Sequence, residues 1–128
     1  MQSIHFDDGY KSFEINGDVS RVLRVNLSDF GIVGRMRAAL ETFERLHPEA
    51  TPEGLAEADA IARDQIDNVF GDGASNIIFG RTNLLSLAGG QPVCANFLEA
   101  IAPIIKADIE AEAAKSNERI AKYKAVIE

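Results

Sequence analysis

Residues 12–25 read S-F-E-I-N-G-D-V-S-R-V-L-R-V, and this stretch decides whether the fold contains a β-sheet. Phe13 and Ile15 alternate with polar residues before the dipeptide Asn16-Gly17. Asn and Gly both tolerate the positive φ angles of a type I′ turn, so Asn-Gly is the strongest short-range signal for a hairpin. We therefore predict a β-hairpin over about residues 11–26. Such a ribbon is marginal alone in water, so it must pack on helices or pair with another chain through its edges.

Two amphipathic helices are predicted after the hairpin. The first spans about residues 29–47, with Ser28 or Asp29 as its cap and Pro48 just beyond its end. Its apolar residues recur every three or four positions: Phe30, Val33, Met36, Leu40, Phe43 and Leu46. The second begins at Thr51-Pro52 and ends at about Phe70, with an apolar row of Leu55, Ala58, Ala62, Ile66 and Val69. The short loop between the two helices predicts an antiparallel pair.

Residues 69–83 read V-F-G-D-G-A-S-N-I-I-F-G-R-T-N and raise the question of a phosphate-binding loop. A P-loop needs a lysine after its last glycine and a strand before the loop, and neither is present here. Asp72 would also place a carboxylate where an anion should bind. We therefore interpret the segment as a connector with a short helical turn. Ser75 is the predicted cap, Ile77, Ile78 and Phe79 anchor the turn in the core, and Gly80 ends it.

A long helical pattern follows from Pro92 toward the end of the chain. Its large apolar residues repeat every four positions: Val93, Phe97, Ile101, Ile105 and Ile109. Pro103 lies inside this pattern and costs about 3 kcal/mol in an unbroken helix, so the helix is expected to kink or break there. Beyond Glu110 the apolar row thins to Ile120, Tyr123 and Ile127, which predicts a tail that extends from the body or orders on a partner.

These elements predict a mainly α-helical α+β fold. It has an N-terminal β-hairpin, an antiparallel helix pair, a short glycine-bounded helical turn and a long C-terminal helix kinked or broken near Pro103. The chain is expected to form a single domain over residues 1–128. Its parts are the hairpin (about 11–26), a helical body (about 29–110) and a helical tail (about 111–128).

The net charge of −7 argues against nucleic acid and anionic membranes as partners, because both are bound through clustered Lys and Arg. Arg21 and Arg24 are predicted as surface charges of the hairpin. The one cysteine, Cys94, is predicted in the core, and its lack of a disulfide partner fits a reducing compartment. No signal peptide is visible, so a cytoplasmic location is expected.

The residue types of known catalytic sites are not found at the required spacings. His5, His47 and Cys94 show no metal-ligand spacing, and Asp7-Asp8 lacks the alternating ligands of a calcium loop. We therefore predict no catalytic residue, no metal site and no cofactor.

Four segments occur in a characteristic order: I-N-G-D (15–18), R-V-N-L-S-D-F (24–30), N-V-F-G-D-G-A-S-N-I-I-F-G (68–80) and F-L-E-A-I-A-P-I-I (97–105). Together they resemble a family of small tail assembly chaperones, encoded in tail gene clusters of long-tailed phages and prophages of Gram-positive bacteria. The resemblance covers most of the chain, and residues 48–66 and 112–128 are its least distinctive parts. Its signatures are caps, glycines and apolar spacings, with no catalytic fingerprint.

The resemblance implies a non-enzymatic viral protein of the host cytoplasm. Such chaperones bind the tape-measure protein, whose long apolar helices would otherwise aggregate, and help recruit tail-tube subunits. Association of this chain with further copies of itself is a second expectation. Two alternatives remain, a virion structural or head–tail connector protein and a small enzyme that uses the glycine-rich loop. If apolar residues are shared with a client or a second copy, we expect Phe97, Ile101, Ile105 and Ile109 first, and Ile120, Tyr123 and Ile127 second.

Overall fold

The N-terminal hairpin forms as predicted. In the computed structural model, which describes residues 1–127 apart from the side chains of Tyr123 and Ile127, strand β1 spans Lys11–Ile15 and strand β2 spans Asp18–Val25. The strands are antiparallel, with Phe13 opposite Leu23 and Lys11 opposite Val25. Asn16 and Gly17 take φ angles of 53° and 72°, the left-handed values that the type I′ turn requires.

Helices α1 (Gly31–Glu44) and α2 (Pro52–Phe70) confirm the predicted helix pair. Helix α1 is shorter than predicted at both ends. Phe30 is the N-cap residue, and its side chain makes no capping hydrogen bond. The side chain of Asp29 instead accepts the Gly31 N–H at 2.9 Å. At the other end, Leu46 N–H bonds the Phe43 carbonyl at 3.2 Å, a tight turn that replaces the last α-helical turn. Thr51 caps α2 as predicted, accepting the Gly54 N–H at 3.0 Å.

Helix α1 buries only part of the predicted row of side chains. Ile32 and Ala39 are fully buried, and Met36, Phe43 and Leu46 pack against the core beside them. Phe30, Val33 and Leu40, which belong to the same predicted row, are instead 86%, 50% and 46% exposed. Both rows have the spacing of one helix face, so periodicity alone does not choose between them. Packing against α2 makes the choice.

The predicted glycine-bounded turn is helix α3 (Ala74–Phe79), and Ile78 is buried with Ile77 and Phe79 packed beside the core. The prediction that Ser75 caps this helix is wrong. Gly73 is the N-cap residue, and Ser75 lies inside the helix, where its N–H donates to Oδ1 of Asp67 on α2 at 2.8 Å. The cap is thus supplied from eight residues upstream, a distance that local capping rules do not cover.

A second, smaller hairpin was not predicted. Strands β3 (Leu87–Ala88) and β4 (Gln91–Pro92) pair across Gly89 and Gly90, whose φ angles are 64° and 88°. Gly-Gly between short strands is a recognised turn signal, so the sequence did contain the information.

Helix α4 spans Val93–Ile127 and continues through Pro103 without a break. Of the two predicted outcomes at Pro103, a break is therefore wrong. Pro103 has no N–H, so the carbonyl of Glu99 loses its partner in the helix. The helix is about 50 Å long, and every described side chain from Glu110 to Lys122 is exposed, as expected for a tail that leaves the body.

The core lies between the hairpin and the four helices. Its fully buried large side chains are Leu27, Ile32, Ile66 and Leu84. From α4 it takes Cys94, Leu98, Ile101 and Ile105, which confirms the predicted core position of the cysteine. Within residues 1–127, no helix combines the length and the apolar character that a membrane crossing requires.

Candidate protein-binding surfaces

An open groove of about 560 Å³ lies between the hairpin and α4, and we call it the hairpin groove. One wall is the inner face of the hairpin, with Phe13 and Ile15 of β1. The other wall is α4, with Phe97, Ile101 and Ile104. The apolar face of β1 and the apolar face of α4 therefore line the same groove.

An aromatic cluster forms the α4 wall of the hairpin groove. The Phe97 ring lies 5.4 Å from the Phe70 ring and 5.8 Å from the Phe79 ring, measured between centroids, and both pairs are tilted. Tilted pairs at this separation are favourable beyond their buried area. Phe97 is thus packed against two other rings and also lines the hairpin groove.

Arg21 was predicted as a surface charge of the hairpin, but its side chain is bound to the backbone of α3. Its Nε donates to the Ile77 carbonyl at 3.0 Å, and a terminal nitrogen donates to the Ile78 carbonyl. These carbonyls belong to the last turn of α3, where a cation also meets the negative end of the helix dipole. Arg21 therefore fixes the hairpin to α3 at one end of the hairpin groove. Arg24 does lie at the surface, with its guanidinium 4.7 Å from the Tyr10 ring centroid.

The residues predicted to bind a partner fall into separate places. Phe97 and Ile101 line the hairpin groove, although Ile101 is buried, and Ile105 is buried in the core. Ile109 is half-buried near Phe30, and Ile120 is exposed on the tail. The side chains of Tyr123 and Ile127 lie outside the described part of the structure. Partner binding by any of these residues stays a prediction.

Sequence reasoning left out several residues that the structure brings to the hairpin groove. Phe13 and Ile15 come from the strand pattern, and Ile104 is 45% exposed at the α4 wall. The alternation of β1 marked Phe13 and Ile15 as one face, but only the tertiary structure shows that this face lies toward α4.

A second apolar surface lies on α1 and consists of Phe30, Val33 and Leu40, which we call the α1 row. Arg37 occupies the remaining position of the same face, and Glu41 and Glu44 stand exposed beside it. A Cβ atom built on Gly34 would meet no atom of another part of the chain within 4 Å, so the helix surface is open next to Val33. The α1 row is therefore an apolar strip with a charged border on an accessible helix.

The glycine-rich segment is held by contacts from α2. The side chain of Arg63 donates to Oδ1 of Asn76 at 3.0 Å and to the carbonyls of Gly80 and Thr82, both at 2.8 Å. Its Nε also bonds Oδ2 of Asp59 at 2.9 Å, and Oδ1 of Asp59 accepts the Leu84 N–H at 2.8 Å. Together with Asp67, which accepts the Ser75 N–H at the start of α3, Arg63 and Asp59 hold the segment by hydrogen bonds from α2. Its polar groups therefore serve the fold of the chain.

Titratable groups show shifts with local causes. Hydrogen bonds from Arg35 and the Gly31 N–H lower the pKa of Asp29, and those from Ser20 lower the pKa of Asp18. Burial raises the pKa of the Cys94 thiol, which favours its protonated form. Within the part of the chain that the structure describes, no three side chains of His, Cys, Asp or Glu converge to hold a metal ion.

Comparison of the chain with protein-family models, with curated proteins and with solved structures found no match. The family resemblance therefore rests on the four sequence segments alone.

Proposed function

We propose that this protein is a non-enzymatic phage tail assembly chaperone that binds the apolar helices of a tape-measure protein and helps recruit tail-tube subunits. The proposal starts from the resemblance of the four segments to that family. The structural observation that carries it furthest is the α1 row, a strip of large apolar side chains left exposed on a packed helix.

The chemistry of the α1 row suits an amphipathic client helix. Phe30, Val33 and Leu40 offer apolar contacts along almost three turns of helix, and a client helix can cover them with residues spaced three and four apart. The open surface at Gly34 lets a second helix approach closely. Glu41 and Glu44 at the border, with the net charge of −7, keep a complex with an apolar client dispersed in water.

The test is co-expression with a tape-measure protein encoded in the same gene cluster. The wild-type chain should raise the soluble fraction of the client, and the double variant V33D/L40D should abolish that gain because it places charges inside the contact. Leu55→Asp is the matched control, since Leu55 is similarly exposed but lies on α2. If the client stays equally insoluble with and without the wild-type chain, the proposed function is wrong.

A further variant separates the two surfaces. Ile104→Asp places a charge in the hairpin groove, where Phe97 and Ile101 were predicted to bind a partner. Loss of client solubility in Ile104→Asp but not in V33D/L40D would move the client site from the α1 row to the hairpin groove.

The alternative function is a virion structural or head–tail connector protein, and it predicts that the chain remains in purified particles. A chaperone should be absent from them. The third hypothesis, an enzyme that uses the glycine-rich loop, predicts a nucleotide-dependent rise in melting temperature that Gly73→Ala removes without unfolding the chain.

A further inference from the structure

The first six residues form an arm without secondary structure that carries exposed apolar side chains. Ile4 and Phe6 are 87% and 76% exposed, and they alternate with Ser3, His5 and Asp7. Residues 1–6 have no secondary structure and no hydrogen bond to any other described residue. Strict alternation of apolar and polar residues is the pattern of a half-buried strand, so the arm carries a strand pattern without a partner strand.

Strand β1 offers the matching partner. Within the described chain, Lys11–Ile15 make backbone hydrogen bonds only with β2, so the other edge of β1 has no backbone partner. The face of β1 that carries Phe13 and Ile15 lines the hairpin groove. A free edge beside an apolar groove is the arrangement to which an additional strand binds.

We propose that two copies of this chain form a two-fold symmetric dimer in which the arm of each copy pairs antiparallel with the free edge of β1 in the other copy. One register pairs the arm with the free edge of β1 and also turns its apolar side chains toward the hairpin groove. It sets Ile4 opposite Ile15, His5 opposite Glu14 and Phe6 opposite Phe13. Residues directly opposite each other share a face, so Ile4 and Phe6 then point into the hairpin groove.

Opposite charges also meet in this register, because Asp8 stands opposite Lys11, which is paired with Asp108 within its own chain. His5 stands opposite Glu14, where a ring N–H can donate to the carboxylate. A shift by one residue would turn Ile4 and Phe6 to solvent and set polar residues against Phe13 and Ile15. The pairing is isologous, so each of these contacts occurs twice in the dimer.

The base of the arm favours a second copy over the same chain. Asn26, which follows β2, donates to the Asp8 carbonyl at 3.0 Å, and Arg24 of β2 lies over the Tyr10 ring. Asp7 and Asp8 also accept the N–H groups of Gly9 and Tyr10 through their side chains, and Gly9 between them takes a φ of 78°. These contacts tie the base of the arm to β2 and to the residue that follows it. Folding back within one chain would have to break them.

Light scattering coupled to size-exclusion chromatography gives the first test. The wild-type chain should elute as a dimer, with twice the chain mass of 13.9 kDa, and I4D/F6D should elute as a monomer with an unchanged circular dichroism spectrum. Val19→Asp is the control, because Val19 is equally exposed on the hairpin but lies outside the proposed contact, and it should stay dimeric. A wild-type monomer, or a dimer that survives I4D/F6D, overturns the proposal.

A charge-swap experiment tests the register. His5→Asp sets a carboxylate against Glu14, and Glu14→Lys sets an ammonium group against His5, so each variant alone should raise the dimer dissociation constant about tenfold. An equimolar mixture of the two variants should restore wild-type affinity. In the mixed dimer the introduced aspartate faces the introduced lysine at one contact, and His5 faces Glu14 at the other.

If the mixture dimerises no better than the separate variants, the register is wrong. If the arm instead pairs with β1 of its own chain, the mixture also dimerises no better, because mixing two variants does not change the pairs within each chain. The test contains no client, so it stands apart from the proposed chaperone function.

Discussion

Lys11 of β1 and Asp108 of α4 form an ion pair that joins the first strand to the last helix, 97 positions apart in the chain. The other carboxylate oxygen of Asp108 accepts the hydroxyl of Ser28 at 2.6 Å. One carboxylate thus connects the hairpin, the segment before α1 and helix α4.

We expect Asp108 to contribute to the acid sensitivity of the fold. The hydrogen bond from Lys11, with a second from Ser28, lowers the pKa of Asp108 below its ordinary value of 3.8. Because the folded-state pKa is the lower one, the stabilisation is complete above pH 3.8 and is lost as the pH falls through the folded-state value. Asp108→Asn should lower the free energy of unfolding at pH 7, and the difference from wild type should vanish in acid. Urea unfolding at several pH values measures this, and an equal difference at every pH would contradict it.

Arg63→Met should destabilise the protein by about 2–4 kcal/mol, because it removes four hydrogen bonds and leaves Asp59 and two carbonyls without their partner. Arg81→Met is the control, since Arg81 is exposed in the glycine-rich segment that Arg63 contacts. It should change the free energy of unfolding by less than about 0.5 kcal/mol. Chemical denaturation of both variants gives the comparison. Equal effects would show that the Arg63 contacts add little.

Ile32→Ala and Leu40→Ala distinguish the two rows of α1. Ile32 is fully buried, so truncation should cost about 2–5 kcal/mol. Leu40 belongs to the exposed α1 row, and its truncation should cost less than about 1 kcal/mol. Thermal unfolding followed by circular dichroism measures both. The reverse order of effects would restore the row predicted from the sequence.

Asp67→Ala should cost about 1 kcal/mol, the ordinary value of a helix cap, because the Ser75 N–H loses its acceptor. Asp72→Ala changes an exposed acid of the same segment and should have almost no effect on the free energy of unfolding, which urea denaturation measures for both variants. A large effect of Asp72→Ala would mean that Asp72 contributes a contact beyond those described.

Much of the fold could be predicted because its signals are local. Asn16-Gly17 predicted the first hairpin, Thr51-Pro52 the start of α2 and Gly80 the end of α3. Gly89-Gly90 carried the same kind of signal for the second hairpin, which went unpredicted because its strands are only two residues long. The surfaces were less predictable. The α4 repeat indicated an apolar face, but it could not separate Ile101 and Ile105, which are buried, from Ile104, which is partly exposed.

By itself, the sequence determined the order of the elements, their approximate bounds and the apolar faces that each could bury. These follow from backbone propensities and from side-chain spacing, which act within a few residues. Only the tertiary structure decided which of two equivalent rows on α1 faces the core and which stays exposed as the α1 row. It also decided that Asp67 caps α3 and that Arg63 holds the glycine-rich segment. The physical reason is the same in each case: the partners are brought together by packing of distant elements, and no local rule relates their positions in the chain.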